Sequence, residues 1–434
     1  MPTTHSPGLA YTPSAAWPAW FQAEQQAAWQ EFLATPAPTR TDEPWRYANL
    51  AAIDLAGFTA APEIVSEGRL INASTGLGVI GEPSGGSSAR LIFGNNALLH
   101  AQTEALPAGV LVKPLDAAAR ENEVLFREYF MRQPVELGSH KYAQLHKALV
   151  AGGALIHVPA NTTVELPIEL FHWVEGENAS VFPHTLIVLG ENARATVIDH
   201  FKSADGARAL ACGINDFHLA PGAQLHYVAV QEWSRDSLAF HLNSTIVDRS
   251  ANSTALAVNL GAAYTRGESL SRLVGEGARS VMLSINPMDG ARQVDQRTLQ
   301  DHTAPGAFSD LLYHNSLDDS SRTIFAGLIK VEPGAHRTDA YQKVRNLMLS
   351  DSAEVKATSM PGLEILADDV RCTHGATTNP IDEDELFYMQ ARGISEKAGR
   401  RLVVAGFFRS LLERVEDESL RDQLGALVDA KLGV

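Results

Sequence analysis

The residues best suited to chemistry lie in Asp368–Thr378, "DDVRCTHGATT", where Cys372, one of only two cysteines in 434 residues, stands two positions before His374. Thiol sulfur and imidazole nitrogen are donors that zinc and iron–sulfur clusters accept, but such sites take four protein ligands, or three with an open position. If "VRCTH" is a strand, residues i and i+2 project from the same face, which sets sulfur and imidazole roughly 6–7 Å apart along the chain. The pair is half a site, and its other ligands must come from elsewhere, most naturally a second subunit. A plainer alternative stays open, in which Cys372 packs as a small hydrophobe and His374 bonds a neighbour. Cys212, in "ALACGIN", reads as core.

Other chemistries find little support. "GLGVIG" at Gly76–Gly81 fits G-x-G-x-x-G, but Pro83 and the "SGGSS" run behind it forbid the helix whose N-terminus would hold a pyrophosphate. The sequence has no G-x-x-x-x-G-K-[ST] loop for ATP, no H-E-x-x-H and no paired C-x-x-C. The adjacent acids Asp318–Asp319 and Asp368–Asp369 would point to opposite faces of a strand, so they read as solvated turns and not as a glycosidase pair. The chain is expected not to be an enzyme. With Lys+Arg 35 against Asp+Glu 51 it carries a net charge of −16, which repels phosphate backbones and anionic headgroups, so neither nucleic acid nor membrane is an expected partner. The first twenty residues lack the basic and apolar segments of a targeting peptide, and no apolar run reaches the ~20 residues of a membrane helix. Two cysteines make no disulfide framework, which suits a reducing cytoplasm.

The elements that must position Cys372 and His374 follow from texture. Residues 1–151 read as mostly helical with a small mixed segment. Helices are expected over Trp20–Leu33, Asp116–Arg132 and Ser139–Val150, with the three prolines of "TPAPTRTDEPWRY" after the first. From Gly152 to Asp369 the chain turns to short β-rich runs separated by turns such as "LGENARATV", "LAPGAQLHYV" and "VGEGARSVML". Aligned on the residue before the second strand, the repeat falls at Thr162, Ala193, Ala223, Asn252, Ala278, Ala307, Ala335, Ala353 and Val370. The spacings are 31, 30, 29, 26, 29 and 28, then 18 and 17. A period near thirty with no helix between strands excludes a βαβ array and predicts a parallel β-helix, in which each coil buries its face on the next; a β-sandwich is the alternative.

Residues 370–434 are expected to form a helical domain. Asp382 and Glu385 make a capping box, Gly393 stops that helix, and Ser395 caps the next. In "EKAGRRLVVAGFFRSLLERV", Ala398, Leu402, Ala405 and Leu412 line one stripe and Val404, Phe408, Leu411 and Val415 another, so two faces should be buried, one of them against another chain. A last helix aligns Leu420, Leu424, Leu427 and Val428.

The stretch "ADDVRCTHGATTNPIDEDELFYMQARGI" resembles the C-terminal signature of the SufB/SufD family, the paired β-helix subunits of the Suf iron–sulfur cluster assembly machinery, and "EPWRY" at Glu43–Tyr47 is similar to its N-terminal motif. SufB typically has H-E-A-T where this chain has His374-Gly375-Ala376-Thr377, and is richer in cysteine; both differences point to the SufD side. The resemblance implies a right-handed parallel β-helix between helical ends and a non-catalytic subunit working with SufB and the ATPase SufC. SufC would dock on the C-terminal helices. His374, and with less support Cys372, would contact a nascent cluster at the SufB interface. The resemblance further implies a flavin in the assembled complex and admits a homodimer. Rival readings are a β-helix enzyme acting on carbohydrate or acyl groups, and a structural partner without a metal role.

Overall fold

The computed structural model describes residues 8–64 and 86–433, in which a parallel β-solenoid carries helices at both ends. The G-x-G-x-x-G look-alike lies outside the described residues. From the Pro183–Leu189 strand onward, strands alternate between two parallel sheets, so each pairs with the next but one. In one sheet Leu210, Leu238, Tyr264 and Gln293 form a row. In the other the row is Arg194, Gln224, Asn252, Arg279, Phe308, Asp339 and Arg371.

One backbone feature generates the repeat. At the corner before each strand of the second sheet, a residue takes positive φ: Asn161, Asn192, Gly222, Ser250, Gly277, Gly306, Arg337 and Asp369. Glycine, asparagine and aspartate reach this left-handed conformation most readily, which is why these turns look alike in sequence. The N–H of such a residue donates to the carbonyl just before the corresponding residue of the next coil, as in Asn192 to Pro221 (2.9 Å), Gly222 to Arg249 (2.9 Å) and Gly306 to His336 (2.8 Å). The following residue turns into the lumen; Ala193, Ala223, Ala251, Ala278 and Ala307 are fully buried there.

This corner corrects three positions of the expected alignment. Asn252 already belongs to the strand, and its coil's corner alanine is Ala251. Ala335 follows a decoy, because Gly334 is also left-handed, but the turn runs three residues further to Arg337–Thr338 before the strand begins. Ala353 lies in the other corner row, ahead of the Lys356–Ile365 strand. With Ala251 and Thr338 in place the late spacings of 18 and 17 vanish, and Ala307, Thr338 and Val370 follow at 31 and 32 residues.

The lumen changes character along its length. In the early coils it is filled by Leu91, Phe93, Ile156, Ile168, Leu170, Val197, Phe217 and Leu225, all buried. In the later coils amides take over: Asn259 donates to Asn286, Asn286 to Asn315 and Asn315 to Asn346, each at 2.8 Å, and Asn346 to Thr378 Oγ1 at 3.1 Å. Each rung satisfies a buried amide that would otherwise lose its solvation unpaid.

The first end is sealed by the chain itself. Ala97–Gln102 turns back antiparallel on Ala89–Gly94, and Leu111–Pro114 runs antiparallel to Gly152–Val158. The helix expected over Asp116–Arg132 is two, Leu115–Glu121 and Glu123–Tyr129, broken at Asn122 (φ −128°, ψ 42°), a residue type that favours helix ends over interiors. Helices Ala19–Ala34 and His140–Leu149 complete this region. Its anchor is "EPWRY": buried Trp45 donates to the Gly138 carbonyl (2.9 Å) and lies 4.0 Å beneath the Arg266 guanidinium. Fully buried Arg266 pairs with Glu268 (2.8 Å) and Asp295 (2.6 Å) and donates to the Pro44 carbonyl (3.0 Å).

At the other end the ladder runs past residue 369. Its last strand is Arg371–Pro380, followed by helices Glu383–Ala391, Glu396–Leu412 and Glu418–Leu432. Asp382 accepts from the Asp384 and Glu385 amides, and Ser395 from the Ala398 amide. The stripe Val404, Phe408, Leu411 and Val415 packs with Leu420, Leu424, Leu427 and Val428 onto Ile198, Val228, Val230, Leu256, Val258 and Leu283 on the outer face of the second sheet. The other stripe divides: Ala405 and Leu412 are buried, while Leu402 and Ala398 are exposed.

Candidate functional site

Cys372 and His374 both lie on the final strand, with Cys372 opposite Ala340 and His374 opposite Gln342. Ala340 and Gln342 are buried in the lumen. Strand alternation therefore puts Cys372, His374, Ala376 and Thr378 on the lumen face, and the Asn346–Thr378 bond fixes that register. Among the described residues no further coil covers them, so inward-facing side chains become surface: His374 is exposed and Cys372 half-buried. The structure thus brings the two residues together on one face, at the rim of the open end.

Their environments differ. Cys372 packs at the edge of a cluster of Ile329, Val331, Ala335 and Ala340. Burial, and then the Asp339 carboxylate, pushes its thiol up from the usual range, so it is held as the thiol at neutral pH. On the opposite, outer face of the strand an open hollow of about 590 Å³ runs across Thr373 and Gly375 to Tyr341, Phe308 and Arg414, with His374 at its border. Among the described residues no three His, Cys, Asp or Glu side chains are grouped to hold a metal ion. Cys212 is fully buried, its thiol directed at the Tyr142 carbonyl (3.5 Å). Asp319 and Asp369 are left-handed corner residues, so neither acid pair converges on a cleft.

The sequence reading missed what surrounds the pair. The Lys356–Ile365 and Arg371–Pro380 strands are the last of their sheets, each hydrogen-bonded along one side only. Leu363, Ile365 and Leu366 are exposed beside them at 37%, 41% and 53%. Two bare ten-residue edges flanked by exposed aliphatics are what natural sheets normally avoid unless another chain covers them. The available signal was strand-like alternation in "KATSMPGLEI" with no further coil to receive it.

Comparison with known proteins decides the family. Residues 87–170 match the SufBD protein N-terminal region, and residues 172–407 match the SufBD core domain of the SUF system for FeS cluster assembly. The chain belongs to the SufB/SufD family. Its relatives include the iron–sulfur cluster assembly protein SufD of Bacillus subtilis, 30% identical over 75% of this chain and 74% of the relative. SufD of Escherichia coli is 28% identical over 95% of this chain and 92% of its own, and SufB of Bacillus subtilis 25% over 75% and 70%. The chain is a SufD-like subunit of iron–sulfur cluster assembly, with the parallel β-helix core that its repeat predicts. Among the described residues no helix is long and apolar enough to cross a membrane.

Proposed function

We propose that this chain is a non-catalytic scaffold whose open solenoid end joins a SufB-type subunit, with His374 as one contact for a cluster built across the junction. The observation that carries the reading is the coincidence of two unpaired edge strands with an incomplete ligand pair between them. A partner strand would pair the free backbone groups, cover Leu363 and Ile365, and bring the missing ligands to His374. Imidazole ligates iron through a ring nitrogen in its neutral form. Cys372, held as a thiol, would have to lose its proton first and is the weaker candidate. The iron and sulfide are cargo in this reading, passed on once assembled.

The Glu383–Ala391 and Glu396–Leu412 helices are the proposed dock for a SufC-type ATPase. The second presses one apolar face onto the solenoid, the first packs Leu386 and Met389 against the second at Gly399, and Phe387, Tyr388 and Leu402 are left in solvent at 71%, 59% and 46%. Residues 1–151 then serve as the sealed base, the solenoid as the body and the C-terminal helices as the docking arm, all working in a reducing cytoplasm. A flavin belongs in this reading to the assembled complex; the two small cavities inside this chain, of about 40 Å³ each, suit only a few waters.

The test is co-expression with SufB-type and SufC-type partners, purification on a tag carried by this chain, and assay of bound iron and sulfide. The reading expects both partners to co-purify and His374→Ala to lose most of the iron and sulfide while keeping them. Normal loading with His374→Ala leaves a purely structural partner as the better account.

A further inference from the structure

A polar network inside the last coils ends directly beneath His374. Gln342 is buried in the lumen, opposite His374 on the neighbouring strand and on the same face. Hydrogen-bond roles fix its orientation step by step. The Tyr341 carbonyl can only accept, so the Gln300 atom 3.1 Å away is Nε2, which also donates to Ser309 Oγ at 2.7 Å. Gln300 therefore turns Oε1 toward Gln342, whose Nε2 donates to it at 3.3 Å. What is left over is Gln342 Oε1, buried and without a donor. Space for this amide is built in: a Cβ on Gly327 would stand 2.4 Å from Gln342 Nε2 and 2.6 Å from both the Phe325 ring and Thr298 Oγ1, so the position takes glycine. Four residues on, Asn346 crosses to the last strand and donates to Thr378 Oγ1 at 3.1 Å.

We infer that Gln342 is the positioning residue of His374: its Oε1 accepts one ring N–H of His374, so that the other ring nitrogen presents its lone pair to the junction. This rests on the role proposed above for His374 and deepens it. On the lumen face of the last strand, Thr378 serves Asn346 and Cys372 stands opposite Ala340, which makes His374 the donor in register with Gln342. Adjacent strands are about 4.8 Å apart, within reach of an imidazole turned over the lumen. An exposed ring changes rotamer rapidly, so in the isolated chain the bond is made and broken and adds little to stability. Once a partner covers the rim and excludes water, a buried Oε1 without a donor is costly and the ring is held. Histidines that ligate metals commonly donate their second N–H to an oxygen in this way, which fixes the tautomer and makes the ligating nitrogen more basic. Cys372 has only the Ala340 methyl beneath it and no such support.

Met282 and Leu311 hold the two places before Gln342 in its row, so Gln342→Met and Gln342→Leu each introduce a side chain that this lumen already accepts. In the isolated chain with nitrogen-labelled histidine, comparison with His374→Ala identifies the His374 ring signals among those of 15 histidines. At alkaline pH these signals should show one tautomer favoured more strongly in the unaltered chain than in either variant; identical ring shifts overturn the inference. In the complex with SufB-type and SufC-type partners, both variants should lower bound iron and sulfide about tenfold with the partners retained, and should cause no further loss when His374→Ala is already present. An equal fractional loss with and without His374 means that Gln342 only holds the coil, and overturns the inference. So does full loading in both variants while His374→Ala loses it. Full loading in His374→Ala overturns the reading of the site instead, and the ring shifts then decide the hydrogen bond by themselves.

Discussion

The two ends of the solenoid are finished in opposite ways. At the first, each sheet is closed off by a short strand turned back antiparallel, Ala97–Gln102 or Leu111–Pro114, four helices and the Trp45–Arg266 anchor pack around them, and the lumen behind them is aliphatic and aromatic. At the other, the last two strands are unpaired on one side, apolar residues face solvent, and the lumen behind them is strung with asparagines. The first end holds the chain together by itself; the second is stable enough to stand open and is built to be completed. Mutations at the sealed end should therefore act on folding, and those at the open end on assembly.

The largest effect should come from Arg266→Met. It leaves Glu268 buried without its cation and Asp295 with Arg297 alone, which costs about 3–5 kcal/mol, and denaturant unfolding of the isolated chain should show it. A smaller loss would mean that the anchor is ornamental and the sealed end less distinct than it looks. Acid should come next. Burial holds His200, His302 and His314 at about 4, so each binds a proton in the unfolded chain before the folded one. Their contribution is intact above about pH 6.5 and lost as pH falls toward 4, at about 1 kcal/mol per ring per pH unit. His314 stacks on Phe407 at 4.3 Å and donates to its carbonyl, so a melting series from pH 7 to 5 should show the C-terminal helices loosening with the solenoid.

At the open end, Ile365→Lys should change the stability of the isolated chain by about 1 kcal/mol or less, because the side chain is already 41% exposed, yet abolish co-purification of a SufB-type subunit. Phe387→Asp should do the same to a SufC-type ATPase. Cys372→Ser should lower stability by about 1 kcal/mol through its contacts with Ile329 and Val331, with iron loading kept. His374→Ala should be almost silent in unfolding of the isolated chain and visible only in the assembled complex. A marked stability loss from His374→Ala would place that imidazole with the buried network instead.

Much of this architecture was legible. The thirty-residue period gave the solenoid because a left-handed corner followed by a small buried residue needs particular residue types, and the stops at Asp382, Gly393 and Ser395 were local enough to be read directly. The alignment failed where Gly334 supplied a second left-handed residue in one turn, since sequence does not say which of two permissive positions the coil uses. Cys372 and His374 were found by type and spacing, and their common face by strand alternation. Their exposure was not, because it depends on what is missing above them: a strand with a buried pattern and one at the end of a stack look the same. Arg266 was also missed, since a buried cation is recognisable only when Glu268 and Asp295 are seen around it.

The turn between Val331 and Asp339 already carries an irregular corner, and the register on both sides of it is unbroken, with Phe308 opposite Asp339 and Asp339 opposite Arg371. A stacked chain of this kind measures position by rungs and is indifferent to the length of cord between them. The outside of that corner is therefore where a peptide tag or a dye-bearing loop can be spliced in to report on the neighbouring open end from within one coil, without altering the surface being watched.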